Sequence, residues 1–293
     1  MKLQTTVADV PNKVSISYTD KIMLLGSCFA DNMGMRMSNY GFDVITNPFG
    51  TLYNPQSILN SIKRMSERKW FTEEECIEMG ANAGRVCSFS HHTSFASRTT
   101  DEFLSKANTS LDKSSSFFKE CNKIIITLGT SWCYRHKEKD VIVSNCLKRP
   151  GTEFHRELMD LEQVINCLKE IIETSRQAKA DKNLSEKEFI FTVSPIRHLA
   201  DGAHGNQLSK STLLLATNNI LDMQGTDYFP SFEIIMDELR DYRFYAEDMC
   251  HPTKQAEDYI FERFTGWAMD KTNIKLLEDN IKAYKRSQHK TLL

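Results

Sequence analysis

The stretch Lys21-Ile22-Met23-Leu24-Leu25-Gly26-Ser27-Cys28-Phe29-Ala30-Asp31-Asn32-Met33-Gly34 constrains this chain more than any other. Four apolar residues in a row, Ile22 to Leu25, read as a short strand buried on both faces of a parallel sheet. Gly26 supplies a sharp turn, two small nucleophilic side chains follow, and Asp31 and Asn32 mark the first turn of a helix. That order lifts one side chain above the carboxyl end of a sheet, which is how several hydrolase folds present a nucleophile. Free backbone N–H groups and the positive end of the helix dipole there favour a thiolate or an oxyanion. An ordinary strand-to-helix turn has the same spacing, so the choice between the two rests on the rest of the chain.

Two more buried strands repeat the pattern. Asn122 to Leu128 ends in Gly129-Thr130-Ser131-Trp132, and Phe189 to Val193 ends in Ser194-Pro195-Ile196-Arg197-His198. Amphipathic helices are predicted over Asp31–Asn39, Ile58–Met65, Leu158–Ala178, Ser209–Asn219 and Gln255–Trp267, with short strands at Val14–Ser17, Phe42–Thr46 and Tyr228–Ile235. Alternating strands and helices predict a parallel, doubly wound sheet. Ligands bind off the carboxyl ends of such strands, so the turns at Gly26 and Gly129 should face one crevice. With no internal repeat and a polar stretch only at Lys179–Glu188, one domain is expected over residues 1–293: a core of about 20–267 and a helical tail at 268–293.

Other segments allow two readings. Asn47-Pro48-Phe49-Gly50-Thr51-Leu52-Tyr53-Asn54-Pro55 is a two-proline loop that suits either a pocket wall or a plain connection, and Gly50 could bring a backbone N–H to an oxyanion. Residues 66–120 are the least regular, with a solvated helix start at Glu73-Glu74-Glu75 flanked by weak strand patterns. His91 and His92 read as neighbours on a strand, pointing to opposite faces, so at most one faces a site. The aromatic-rich stretch Phe229 to Tyr245 reads either as core or as a hydrophobic or sugar-binding wall.

Charge narrows the partners. Against 39 acidic residues stand 37 Lys and Arg, a net charge of −2, so no basic field advertises nucleic acid. No stretch is long and apolar enough to span a bilayer, and no pattern sets an oligomeric state. Met1 to Lys13 lacks the apolar core of a secretory signal, and the eight cysteines include no C-x-x-C pair. A reducing cytoplasm is the expected compartment, with no metal site and no disulfide framework.

The two ends of the chain are chemically complementary. Ser27 and Cys28 offer nucleophiles, and Asp248-Met249-Cys250-His251 places an acid three residues before a base on a loop entering a helix. A nucleophile needs a base within hydrogen-bond reach, and that base gains from a carboxylate that fixes its tautomer.

Gly26-Ser27-Cys28-Phe29-Ala30 is the pentapeptide for which the GSCFA domain family is named. The resemblance extends through Asn47–Thr51, His92-Thr93-Ser94-Phe95, Ser194–His198, Tyr228-Phe229-Pro230 and Asp248–Pro252. That family resembles a branch of the SGNH, or GDSL-type, hydrolases, which implies a flavodoxin-like three-layer α/β/α sandwich around a central parallel sheet. It implies an esterase, O-acyltransferase or deacylase acting on a small-molecule or carbohydrate ester, with no cofactor. Asp248 and His251 match the superfamily's Asp-x-x-His pair, and Gly50 matches its second-block oxyanion glycine. Aligning Gly-Asp-Ser with Gly26-Ser27-Cys28 puts Cys28 in the nucleophile's place; the alternative is that Ser27 serves and Cys28 packs. The third block reads Gly129-Thr130-Ser131, without the superfamily's Asn, so one oxyanion donor is missing or replaced by a hydroxyl. His92 and Arg197 are expected pocket residues of this branch. A His-paired Cys28 at a helix N-terminus is expected to have a lowered pKa. Two rivals stand beside the acyl-enzyme reading: an idle member that binds a carbohydrate or acylated ligand, and a redox role for Cys28 with Cys250.

Overall fold

A computed structural model of the chain describes residues 5–8, 10–81, 84–179, 181 and 185–289. The first half runs β1 (Lys21–Gly26), α1 (Cys28–Asn39), β2 (Asp43–Thr46), α2 (Pro55–Glu67), the short β3 (Ile77–Glu78) and β4 (Val86–Cys87), and α3 (Thr100–Glu120). Then come β5 (Lys123–Leu128), β6 (Trp132–His136), β7 (Val141–Val143), β8 (Phe154–Leu158), α4 (Leu161–Gln177), β9 (Glu188–Val193) and α5 (Gly202–Ile220). The chain continues through β10 (Thr226–Tyr228), the single turn α6 (Ser231–Glu233), α7 (Lys254–Ala268) and α8 (Lys271–His289).

Five strands pair in parallel in the order β2-β1-β5-β9-β10. Counted within that sheet the order is 2-1-3-4-5, the flavodoxin-like arrangement, and it reverses between β1 and β5. Successive strand residues point to opposite faces, and the packing follows that alternation. Met23, Leu25, Ile124, Ile126, Phe189 and Phe191 pack with residues of α2, α3, α4 and α5 in one buried cluster. Ile22, Leu24, Ile125 and Ile190 pack with α1 and α7 in another. This is a three-layer sandwich. All four residues from Ile22 to Leu25 are fully buried, each contributing about 1.5–3 kcal/mol of apolar burial.

Several expectations are corrected. Val14 and Ile16 are core residues but form no strand; the Ile16 N–H donates to Ala268 O and the Val14 N–H to Asp227. The "irregular" region contains the 21-residue helix α3, whose buried Phe103, Ala107, Leu111 and Phe118 fall at helical spacing among many serines. Both short strands follow Glu73–Glu75 instead of flanking it. Leu158 closes strand β8 of a small antiparallel sheet, β7-β6-β8, before α4 begins. The helix expected over Ser209–Asn219 begins earlier, at Gly202, as α5. Past Tyr228 the chain turns helical at Ser231 and runs as a π-helix over Ile234–Leu239, so no strand extends to Ile235. Residues 180 and 182–184 of the stretch Lys179–Glu188, and residues 290–293 of the helical tail, lie outside the described residues. Among the described residues no helix is long and apolar enough to cross a membrane.

Candidate active site

The crevice at the β1/β5 reversal is where the first turn of α1 begins. Gly26 has φ 133°, and a Cβ there would lie 2.1 Å from Thr127 O, so only glycine lets β1 turn this close to β5. Ser27 is fully buried and caps α1: its Oγ accepts from the Phe29 N–H at 3.3 Å. Cys28, the first residue of α1, is partly exposed, and its Sγ lies 3.6 Å from His251 Nε2. Asp31, one turn on, accepts from Asn47 Nδ2 (2.7 Å) and Thr51 Oγ1 (3.0 Å), while Asn47 Oδ1 accepts from the Gly26 N–H. The proline-rich loop is thereby tied to the glycine turn.

His251 arrives on the loop before α7. Asp248 Oδ1 accepts the backbone N–H groups of Cys250 and His251, both at 2.9 Å, and Asp248 Oδ2 lies 2.6 Å from His251 Nδ1. Those amides and the imidazole contact hold the Asp248 carboxyl down at about 2. An ionised carboxylate only accepts, so Nδ1 carries the imidazole proton and Nε2 turns its lone pair to the thiol. Met249 has φ 56°, a left-handed conformation unusual for its side chain. Arg197 holds that turn: its backbone N–H donates to Cys250 O (3.0 Å) and its Nη1 to Met249 O (3.2 Å).

The thiol is not activated at rest. Burial pushes the Cys28 pKa up to about 11; its own backbone N–H and that of Phe29 oppose this, and Asp31 and Glu257 add to it. The expected lowered pKa is overturned because desolvation outweighs the helix terminus. Ionisation of Cys28 therefore depends on a base, and His251 is in place to be one.

The expected oxyanion donors are differently employed. The Gly50 N–H donates to Asn47 O at 2.7 Å, closing a turn, and the Gly50 Cα packs so tightly on His92 that a Cβ would lie 2.4 Å from His92 Cβ. Gly129 and Thr130 both give their N–H to Tyr53 O at 2.9 Å, and the Ser131 N–H goes to Ser209 Oγ at 2.8 Å. The Thr130 and Ser131 hydroxyls also turn to Ser209. Gly129, Thr130 and Ser131 are buried, and like Gly50 they have their backbone donors already spent within the fold. His91 and His92 lie in a turn, not a strand: His91 is buried among Phe49, Phe71, Phe95 and Phe103, and half-buried His92 caps the turn Thr93–Phe95. All eight cysteines, Cys28 and Cys250 included, are free thiols.

A model of the GSCFA family matches residues 21–264, most of the chain. The chain belongs to the GSCFA family. No curated protein and no solved structure matches it. In this GSCFA chain three site residues were missed by sequence reasoning. Tyr53, on the proline-rich loop, lies in the electrostatic reach of Cys28 and Asp31, and burial pushes its hydroxyl up to about 12. His198, pushed down to about 4 by burial, stacks edge-on against Tyr53 and feels Lys210 and His251. Lys210 is 1% exposed; its Nζ donates to Gly129 O and Ser194 O, each at 2.8 Å. A signal for Lys210 was present, since it shares the buried stripe of α5 with Leu213 and Thr217. Beside the GSCFA site is a cavity of about 360 Å³ lined by Arg197, Asn206, Met236, Arg240, Tyr242 and Tyr245. The aromatic stretch thus divides: Phe229 and Phe232 are core, whereas Tyr242 and Tyr245 face this cavity.

Proposed function

We propose that this GSCFA chain is an acyl-transferring enzyme of the SGNH type, an esterase, deacylase or O-acyltransferase, with Cys28 as nucleophile. The observation that carries this reading is the unbroken line Cys28 Sγ–His251 Nε2 (3.6 Å) and His251 Nδ1–Asp248 Oδ2 (2.6 Å) at the carboxyl end of β1. Sγ attacks the acyl carbonyl carbon while its proton passes to Nε2. The tetrahedral intermediate collapses, the leaving alkoxide takes that proton, and a thioester remains on Cys28. Water or a sugar hydroxyl then attacks the thioester with His251 as base, releasing acid or a new ester and restoring the thiol. Asp248 holds the imidazole tautomer and the positive charge that forms on it. The Cys28 backbone N–H, which faces its own thiol, and the nearby Tyr53 hydroxyl serve the oxyanion in place of Gly50 and the missing Asn. The cavity beside Arg197, within the size range of small-ligand sites, takes the substrate beyond the ester.

Turnover of p-nitrophenyl acetate and butyrate tests this. Wild type and Ser27→Ala should turn over, and Cys28→Ala and His251→Ala should not; equal rates in all four would overturn the reading. One observation favours a second reading, a ligand-binding member that does not turn over. The donors of Gly50, Gly129, Thr130 and Ser131 are spent within the fold, and each lost oxyanion donor costs about 10²–10³ in rate. Ligand retention without turnover in wild type would decide for it.

A further inference from the structure

Lys210 is a buried cation that neither the fold nor the Cys28–His251–Asp248 line explains. Its Nζ is anchored on Gly129 O and Ser194 O, just beyond the carboxyl ends of the neighbouring strands β5 and β9. Gly26 pairs with Thr127, and Cys28 and Gly129 each follow two residues later, so thiol and ammonium sit past the same edge of the sheet. Among the described residues no carboxylate pairs with Lys210; the Phe232 ring lies 5.5 Å from Nζ. The titratable groups that face it are Cys28 from α1 and His198 from the segment after β9. A buried ammonium with only carbonyl partners is costly, and it becomes favourable when an anion forms nearby.

We propose that Lys210 is a positioning residue for the nucleophile, the fixed counter-charge that supports negative charge on Cys28 from beneath the crevice. The inference deepens the acyl-transfer reading and rests on it for the role of Cys28. Lys210 transfers no atom: the thiol proton still leaves through His251, and the ammonium makes the anion that remains less costly. Burial pushes Lys210 down to about 7, so near neutrality it exchanges its own proton while the thiol is still protonated. Once Lys210 has lost its proton, a Cys28 thiolate forms mainly together with a re-protonated Lys210. The thiolate fraction then stops rising with pH.

The test is alkylation of Cys28 by iodoacetamide from about pH 6 to 9, followed by mass spectrometry of the Cys28 peptide, in a His251→Ala chain. His251 is half exposed on its loop, so its removal spares the core and leaves Lys210 as the one partner tested. The expected rate rises to about pH 7 and then levels for about one pH unit, whereas a thiol held up at about 11 without such a partner gains about tenfold per pH unit throughout. Adding Lys210→Met or Lys210→Gln should restore the continuous rise and slow alkylation at neutral pH by roughly tenfold. Gln keeps a donor for the strand-end carbonyls without the charge, so a plateau retained in Lys210→Gln would show a merely structural role and overturn the proposal. An alkylation rate at neutral pH that is unchanged in both Lys210→Met and Lys210→Gln, each shown folded by circular dichroism, would overturn it. Alkylation needs no acyl turnover: slowed alkylation in Lys210→Gln without ester turnover by wild type would sink the enzymatic reading alone, and turnover with alkylation unchanged in Lys210→Gln would sink Lys210 alone.

Discussion

Ser27 and Cys28 are adjacent in the chain and opposite in situation: the Ser27 hydroxyl is sealed under the first turn of α1, accepting the Phe29 N–H, while Cys28 Sγ reaches His251 Nε2 at 3.6 Å. One peptide unit separates a helix cap from the thiol that faces His251. Ser27→Ala should therefore cost about 0.5–2 kcal/mol of stability, as helix-cap losses do. Urea unfolding measures that cost, and ester turnover per folded molecule should be retained.

Asp248→Asn should leave the fold intact and lower turnover by about 10²–10⁴, because an amide no longer fixes the Nδ1–H tautomer of His251. The contact it removes is the 2.6 Å one between Asp248 and His251. Since Asp248 is held down at about 2, its carboxylate is present across the working pH range. No loss of rate on acidification above about pH 4 should trace to it, which pH–rate profiles of wild type will check.

Arg197→Ala should lower kcat by roughly tenfold with little change in unfolding temperature. The side chain ties Met249 O, at the strained φ of 56°, and so sets where His251 stands. Near-ultraviolet and far-ultraviolet circular dichroism of the variant should match wild type.

The folded state holds Lys210 at about 7, well below the ordinary lysine value of 10.5. Between those values the unfolded chain binds a proton that the folded chain does not, so this group adds stability as pH rises through that window. Below about pH 7 both states are protonated and the full burial cost applies. Thermal melts of wild type and Lys210→Met should therefore differ most in the variant's favour below about pH 7 and converge as pH rises towards 10. A constant difference across that range would contradict the linkage.

Much of the candidate site's geometry was legible because it sits in short local patterns. Gly26-Ser27-Cys28 declares a strand end and a helix start within three residues, and Asp248-x-x-His251 closes on itself through one Asx turn. The parallel sheet was legible too, because Ile22–Leu25 and Ile124–Ile126 are apolar on both faces. What escaped depends on distant partners. Nothing near Gly50 in the chain says that its N–H is taken by Asn47, and Gly129 meets Tyr53 only across the fold. The pKa of Cys28 follows from how deeply α1 is packed, which local charge and dipole arguments do not contain. Helix α3 was missed because serines and a threonine dilute its apolar stripe, although that stripe buries four large or small apolar side chains fully.

The central claim is that Cys28 becomes acylated with His251 as its base. Intact-protein mass spectrometry after brief exposure to p-nitrophenyl acetate tests it most directly, with peptide mapping to place the adduct. The account predicts one acetyl group, on Cys28, absent in Cys28→Ala and lost or slowed by at least about 100-fold in His251→Ala. An acetyl group on another residue, or one on Cys28 that forms as fast without His251, would contradict it.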